Sequence, residues 1–134
     1  MIKHMKDHTL LNLARYSLAL LWIFTGLTSI FFDYETGYEL LFNFGLTDSI
    51  TRALIFSGAI LDIGLGFWIL SNKQLKLCYV VQIVVITSYT ILLTIIEPSY
   101  WLHPFGPVSK NISIIMLILI LYSTTDDSST EKAL

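Results

Sequence analysis

The chain has 134 residues, of which 54% are apolar and 13% charged, with a net charge of −2, and its mean hydropathy is +0.70. A soluble domain carries about a quarter charged residues, and a nucleic-acid binder needs a basic patch that is missing here. The single cysteine, Cys78, excludes an internal disulfide and a CxxC-type dithiol relay.

The N-terminal stretch 1–12 carries Lys3 and Lys6 and reads as a polar lead-in, its His4 and His8 lying in a frayed terminus. Segment one follows at about Leu13–Phe32, and no Asp, Glu, Lys or Arg falls between Tyr16 and Phe32. A bilayer core of about 30 Å needs about 20 helical residues. The run is longer than the h-region of a cleaved leader and no A-x-A-like site follows it, so it is read as a retained span. The stretch Asp33–Asp48 is acidic, contains Gly37 and Gly45, and reads as a loop with a short interfacial helix at Tyr38–Phe44. Segment two is expected at about Ile50–Leu70, capped by Asp48 or Ser49, and Ser71-Asn72-Lys73 as a tight turn.

Segment three, about Leu75–Ile96, is stopped at Glu97-Pro98, because proline cannot continue the backbone bonding. Residues 101–107, Trp-Leu-His-Pro-Phe-Gly-Pro, hold too much Pro and Gly to be helix. Segment four, about Val108–Ser123, is short for a full span and should begin within the headgroup layer or run a turn past Ser123. The polar tail 124–134 reads as disordered. These elements define an all-α fold: a four-helix transmembrane bundle over residues 13–123 with both termini on one side.

Orientation follows the basic residues. With the N-terminus inside, Lys3, Lys6, Arg15, Lys73, Lys76 and Lys132 are cytoplasmic, and Arg52 and Lys110 are outside. Tyr34, Tyr38, Tyr100 and Trp101 would then form the outer aromatic belt.

Helical rise places polar side chains of different segments at matching depths. Asp62 lies about 12 Å in from Leu70, and Gln82 about 10 Å in from Leu75, with Trp22 near the same level. A second layer holds Tyr89, Ser57, Thr25 or Thr28, and Asn111. Gln82, Ile86 and Tyr89 share one helix face by their spacing. A charged carboxylate near the bilayer centre costs about 2.5–3.5 kcal/mol, so Asp62 should face the bundle and have a partner. It is read either as a proton-handling or ligand-orienting group, or as interhelical glue to Gln82 or the Trp22 indole. Glycines 26, 58, 64 and 66 permit close helix approach. His103, Lys110 and Arg52 gather at the outer rim, as a cationic mouth or as interfacial anchors. No HExxH, paired metal-ligand set or nucleophile–base pair is encoded, so no metal is expected and catalysis stays open.

The run from Trp101 to Asn111, WLHPFGPVSKN, resembles the signature before the last helix of DoxX-like membrane proteins. The resemblance continues in Arg15 with Trp22–Leu27, in Gly58–Gly66, and in Gln82 with Tyr89-Thr90, covering about residues 13–122. It implies a four-helix bundle in the bacterial inner membrane and a redox association, since such proteins include membrane subunits linked to quinone or thiol oxidoreduction. Relatives also occur fused behind NAD(P)-dependent short-chain-dehydrogenase-like domains, which agrees with a cytoplasmic N-terminus. This chain has no Rossmann fingerprint. The resemblance favours the reading of Asp62, Gln82, Tyr89, His103, Lys110, Asn111 and Trp22 as a pocket, with Arg52 at its outer rim. Two functions are expected to compete. One is a bundle that binds a lipophilic small molecule such as a quinone. The other is a non-catalytic anchor that docks a cytosolic oxidoreductase through Lys73, Lys76 and the termini. A channel or transporter would require self-association.

Overall fold

The computed structural model describes residues 2–102 and 108–125, with side chains in the first helix described from residue 7 onward. The described residues are helical, without strands: α1 (Ile2–Phe31), α2 (Tyr34–Asn43), α3 (Asp48–Ser71), α4 (Leu75–Ile96), a 3-10 turn at Pro98–Trp101 and α5 (Lys110–Thr124). Three of them contain stretches long and apolar enough to cross a membrane, Asp7–Phe31, Asp48–Ser71 and Leu75–Ile96.

α1 starts well before the expected boundary at Leu13. No Gly or Pro precedes Gly26, and Lys, Met, Leu and Ala favour propagation, so nothing stops the helix short of Ile2. The frayed terminus assigned to His4 and His8 is therefore helix. The cap of α3 also differs from expectation. Thr47, not Asp48 or Ser49, is the N-cap and accepts from the Ile50 amide at 3.4 Å. Asp48 is committed elsewhere, pairing with Arg52 at 3.3 Å and accepting from the Tyr38 hydroxyl.

The α3–α4 turn is tight. Asn72 (φ 63°) and Gln74 (φ 49°) both adopt left-handed backbone, and the Trp68 indole donates to the Lys73 carbonyl at 2.9 Å across it. α4 has the expected bounds and ends before Pro98. α5 has 15 residues, about 22 Å at helical rise, well short of a hydrocarbon core of about 30 Å. It ends one residue past Ser123 and gains no extra turn there.

The most extensive seam joins α1 to α3. A Cβ on Gly26 would sit 2.7 Å from the Ala59 carbonyl oxygen, and one on Gly66 2.8 Å from that of Ala19. As numbers rise on one helix they fall on the other, so the pair is antiparallel with backbones in direct contact. Without a hydrophobic drive in lipid, such small-residue contact is what association relies on. α4 packs mainly on α5, and α3 touches α4 much less than it touches α1. Leu18, Trp22, Leu65, Ile69, Tyr79, Ile86 and Ile118 belong to the buried cluster between them. Phe24, Ile60, Phe67, Val84 and Ile95 point outward, as side chains bathed in lipid would. α2 lies on α3, its Tyr34 ring 5.9 Å from Phe56.

Candidate functional site

On α3 the buried positions include Ala59, Asp62, Gly66 and Ile69. Those on α4 include Cys78, Gln82 and Ile86, repeating every fourth residue. These stripes carry the polar groups inward: Asp62 and Trp22 are each 5% exposed and Gln82 is 0%, so none of the three faces lipid.

Their pairing departs from the depth argument. The Trp22 indole donates to Gln82 Oε1 at 2.8 Å, and Gln82 Nε2 donates to Cys78 Sγ at 3.2 Å. Trp22 and Gln82 thus satisfy each other and tie α1 to α4. Asp62 instead accepts from the Tyr89 hydroxyl at 3.4 Å, a long bond that reaches between the two expected layers. Gly58 makes room for it, since a Cβ there would lie 3.3 Å from the tyrosine oxygen. Among the described residues no basic side chain forms an ion pair with Asp62; the ion pair present is Arg52–Asp48. Tyr89 is half-buried, so the pair lies on the sparsely packed α3–α4 seam with one member reaching its surface.

Asn111, near the start of α5, donates to Thr90 Oγ1 at 3.0 Å, and Thr90 donates to the Ile86 carbonyl at 2.7 Å. That contact ties α5 to α4 and draws on a partner, Thr90, not singled out as polar lining. Lys110 and Arg52 are exposed. His103 lies outside the described residues, so the expected cationic mouth is represented only by Lys110 and Arg52. Ser57 bonds its own helix at Leu54, Thr25 is exposed, and the Thr28 hydroxyl is buried without a partner. At the Asp48 end of α3, the hydrogen bond to Asp48 is the main cause that raises the Tyr38 phenol above its usual 10.0. Among the described residues, no three His, Cys, Asp or Glu side chains gather to hold a metal ion.

Five of the seven expected pocket residues thus fall into three hydrogen-bonded groups, Trp22–Gln82, Asp62–Tyr89 and Asn111 with Thr90, all anchored on α4. A cavity of about 430 Å³ opens elsewhere, at the end shared by the first half of α1, the α3–α4 turn and the last turn of α5. Arg15 and Tyr79 line it and none of the expected pocket residues does. Sequence reasoning passed over it because Arg15 reads as one more basic flank.

A family model described as the DoxX-like family matches residues 19–119. No curated protein and no solved structure gives a match.

Proposed function

The chain belongs to the DoxX-like family, and from that premise we propose that it binds a lipophilic small molecule of the quinone class between α3 and α4, in a redox-associated role. Family membership and three membrane-length apolar helices make it a multi-pass membrane protein. In the proposed arrangement α5 completes a four-helix bundle in the bacterial inner membrane, with both termini in the cytoplasm and the Lys73–Lys76 turn beside them.

The observation that carries the reading is the Asp62–Tyr89 pair. It is a carboxyl and a phenol that have no counter-cation among the described residues, set on a seam packed far less closely than that of α1 and α3. Glue would be served by an amide, as Trp22–Gln82 illustrates. A carboxyl–phenol pair adds a proton that can be given or taken, and a quinone oxygen needs both a donor and a proton source. The seam faces lipid, where such a ligand is dissolved, and Tyr89 would meet it first, with Asp62 behind the hydroxyl orienting it. Asn111, bonded to Thr90 beside Tyr89, and Lys110 before it would, with His103, handle the polar end of a ligand in the same seam.

The test is thermal unfolding of purified protein with a short-chain ubiquinone. At 100 times Kd, binding adds about 2.7 kcal/mol, and the midpoint should rise by several degrees. Asp62→Asn and Tyr89→Phe should melt close to the parent without ligand and lose most of the rise. An anchoring subunit predicts no rise at all. No shift in the parent, or an equal shift in both variants, refutes the proposal.

A further inference from the structure

We propose that the cavity at the chain-terminal end is a binding site for a phosphate oxyanion, held by Arg15. The cavity encloses about 430 Å³, room for a phosphate group and the first atoms attached to it. Its wall mixes hydrogen-bonding side chains, among them His8, Asn12, Arg15, Gln74, Tyr79 and Thr125, with a few leucines, and among the described residues includes no Asp or Glu.

Arg15 supplies the charge. Its Nε is buried and has no hydrogen-bond partner among the described residues, and the ion pair they contain is Arg52–Asp48. Its guanidinium carbon lies 5.2 Å from the Tyr16 ring centroid, a contact that orients the group without accepting its hydrogens. A buried cationic donor left unmatched is costly, and native structures rarely leave one so. The guanidinium fork matches two oxygens of one phosphate. Tyr79 is 1% exposed and brings a hydroxyl to the same space. Two left-handed residues, Asn72 and Gln74, shape the opposite wall, and a turn held in that backbone by non-glycine residues is a fixed rather than adaptable surface.

The position suits two carriers of the same chemistry. Membrane-length helices end here, so a phospholipid headgroup can reach in sideways, and a soluble phosphate-bearing molecule can enter from the aqueous side. The chain's own Asp126 and Asp127, which follow Thr125 directly, are the competing occupant.

Native mass spectrometry of the full chain from non-ionic detergent separates these. Dioleoyl phosphatidylglycerol should give one saturable adduct, about tenfold weaker in Arg15→Gln, while dioleoylglycerol, which lacks the phosphate, shows no dependence on Arg15. Arg15→Lys keeps the charge but not the fork and should lie between, serving as the readout where Arg15→Gln does not fold. Displacement of the lipid by millimolar inorganic phosphate assigns the site to a soluble carrier, and resistance to it assigns the site to the headgroup. Equal lipid binding by the parent and the Arg15 variants overturns the proposal. So does an adduct that forms only after Asp126→Asn and Asp127→Asn, which would give the cavity to the chain's own tail.

Discussion

Gly66→Ala measures how closely α1 and α3 are pressed together, and Gly64→Ala on the same helix is its control. The new methyl at Gly66 would lie 2.4 Å from Ile23 Cγ1 and 2.8 Å from the Ala19 carbonyl oxygen, whereas at Gly64 nothing lies within 4 Å. Ile23 can rotate away; the Ala19 oxygen is backbone and moves only with α1. Restoring ordinary contact requires the helices to separate by about half an ångström, which weakens dispersion contacts along the whole seam. Overpacking of this kind costs about 1–3 kcal/mol, and the gain in helix propensity of about 1 kcal/mol on replacing glycine offsets only part of it. Because the clash is with backbone it belongs at the upper end of that range, about 2–3 kcal/mol, so the net expectation is a loss of about 1–2 kcal/mol for Gly66→Ala and a neutral or slightly stabilising change for Gly64→Ala. Reversible unfolding in mixed micelles, followed by far-ultraviolet circular dichroism, reads both. If Gly66→Ala unfolds with or after the parent, or Gly64→Ala loses as much, the helices are not in backbone contact.

Trp22→Phe removes the donor to Gln82 and leaves a buried amide oxygen unmatched, for about 1–3 kcal/mol of lost stability. Adding Gln82→Met should recover part of that loss, and a denaturant titration of the two single variants and the double gives the coupling; strictly additive losses would mean that the bond is not made. At the start of α3, the Tyr38 phenol is held above 10.0 by its bond to Asp48. A group raised on folding contributes stability that is present below its unfolded pKa and disappears as pH climbs through the folded one, so this contact should weaken only in strong alkali. Asp48→Ala should bring the Tyr38 ionisation down, seen as a phenolate absorbance difference against Tyr38→Phe. An unchanged titration would show that the hydroxyl does not bond Asp48 in solution.

Hydropathy located the long helices well, and the bounds of α4 follow directly from Lys73 before it and Pro98 after it. What it could not locate was rotation. A helix apolar on all sides has no preferred face, so the depths of Asp62, Gln82 and Trp22 were legible while their partners were not. Gln82 faces Trp22, and Asp62 was left to Tyr89, one layer away. Thr47 caps α3 because Asp48 is drawn off by Arg52 and Tyr38, a competition between side chains on two elements. The chain-end cavity was illegible for a similar reason. Its wall is assembled from three separate stretches of chain, each ordinary alone, and only the missing partner of Arg15 marks it.

The seam between α1 and α3 also sets a sequence of events in time. Both partners of that seam are complete at Ser71, before any of α4 exists. Tyr89 follows Asp62 by 27 residues and Gln82 follows Trp22 by 60. At a synthesis rate of about 5–20 residues per second, the Asp62 carboxyl spends about one to five seconds in a half-built protein before its partner is made. Throughout that interval α1 is the neighbour Asp62 has, and the hydroxyl it finally bonds has yet to be made.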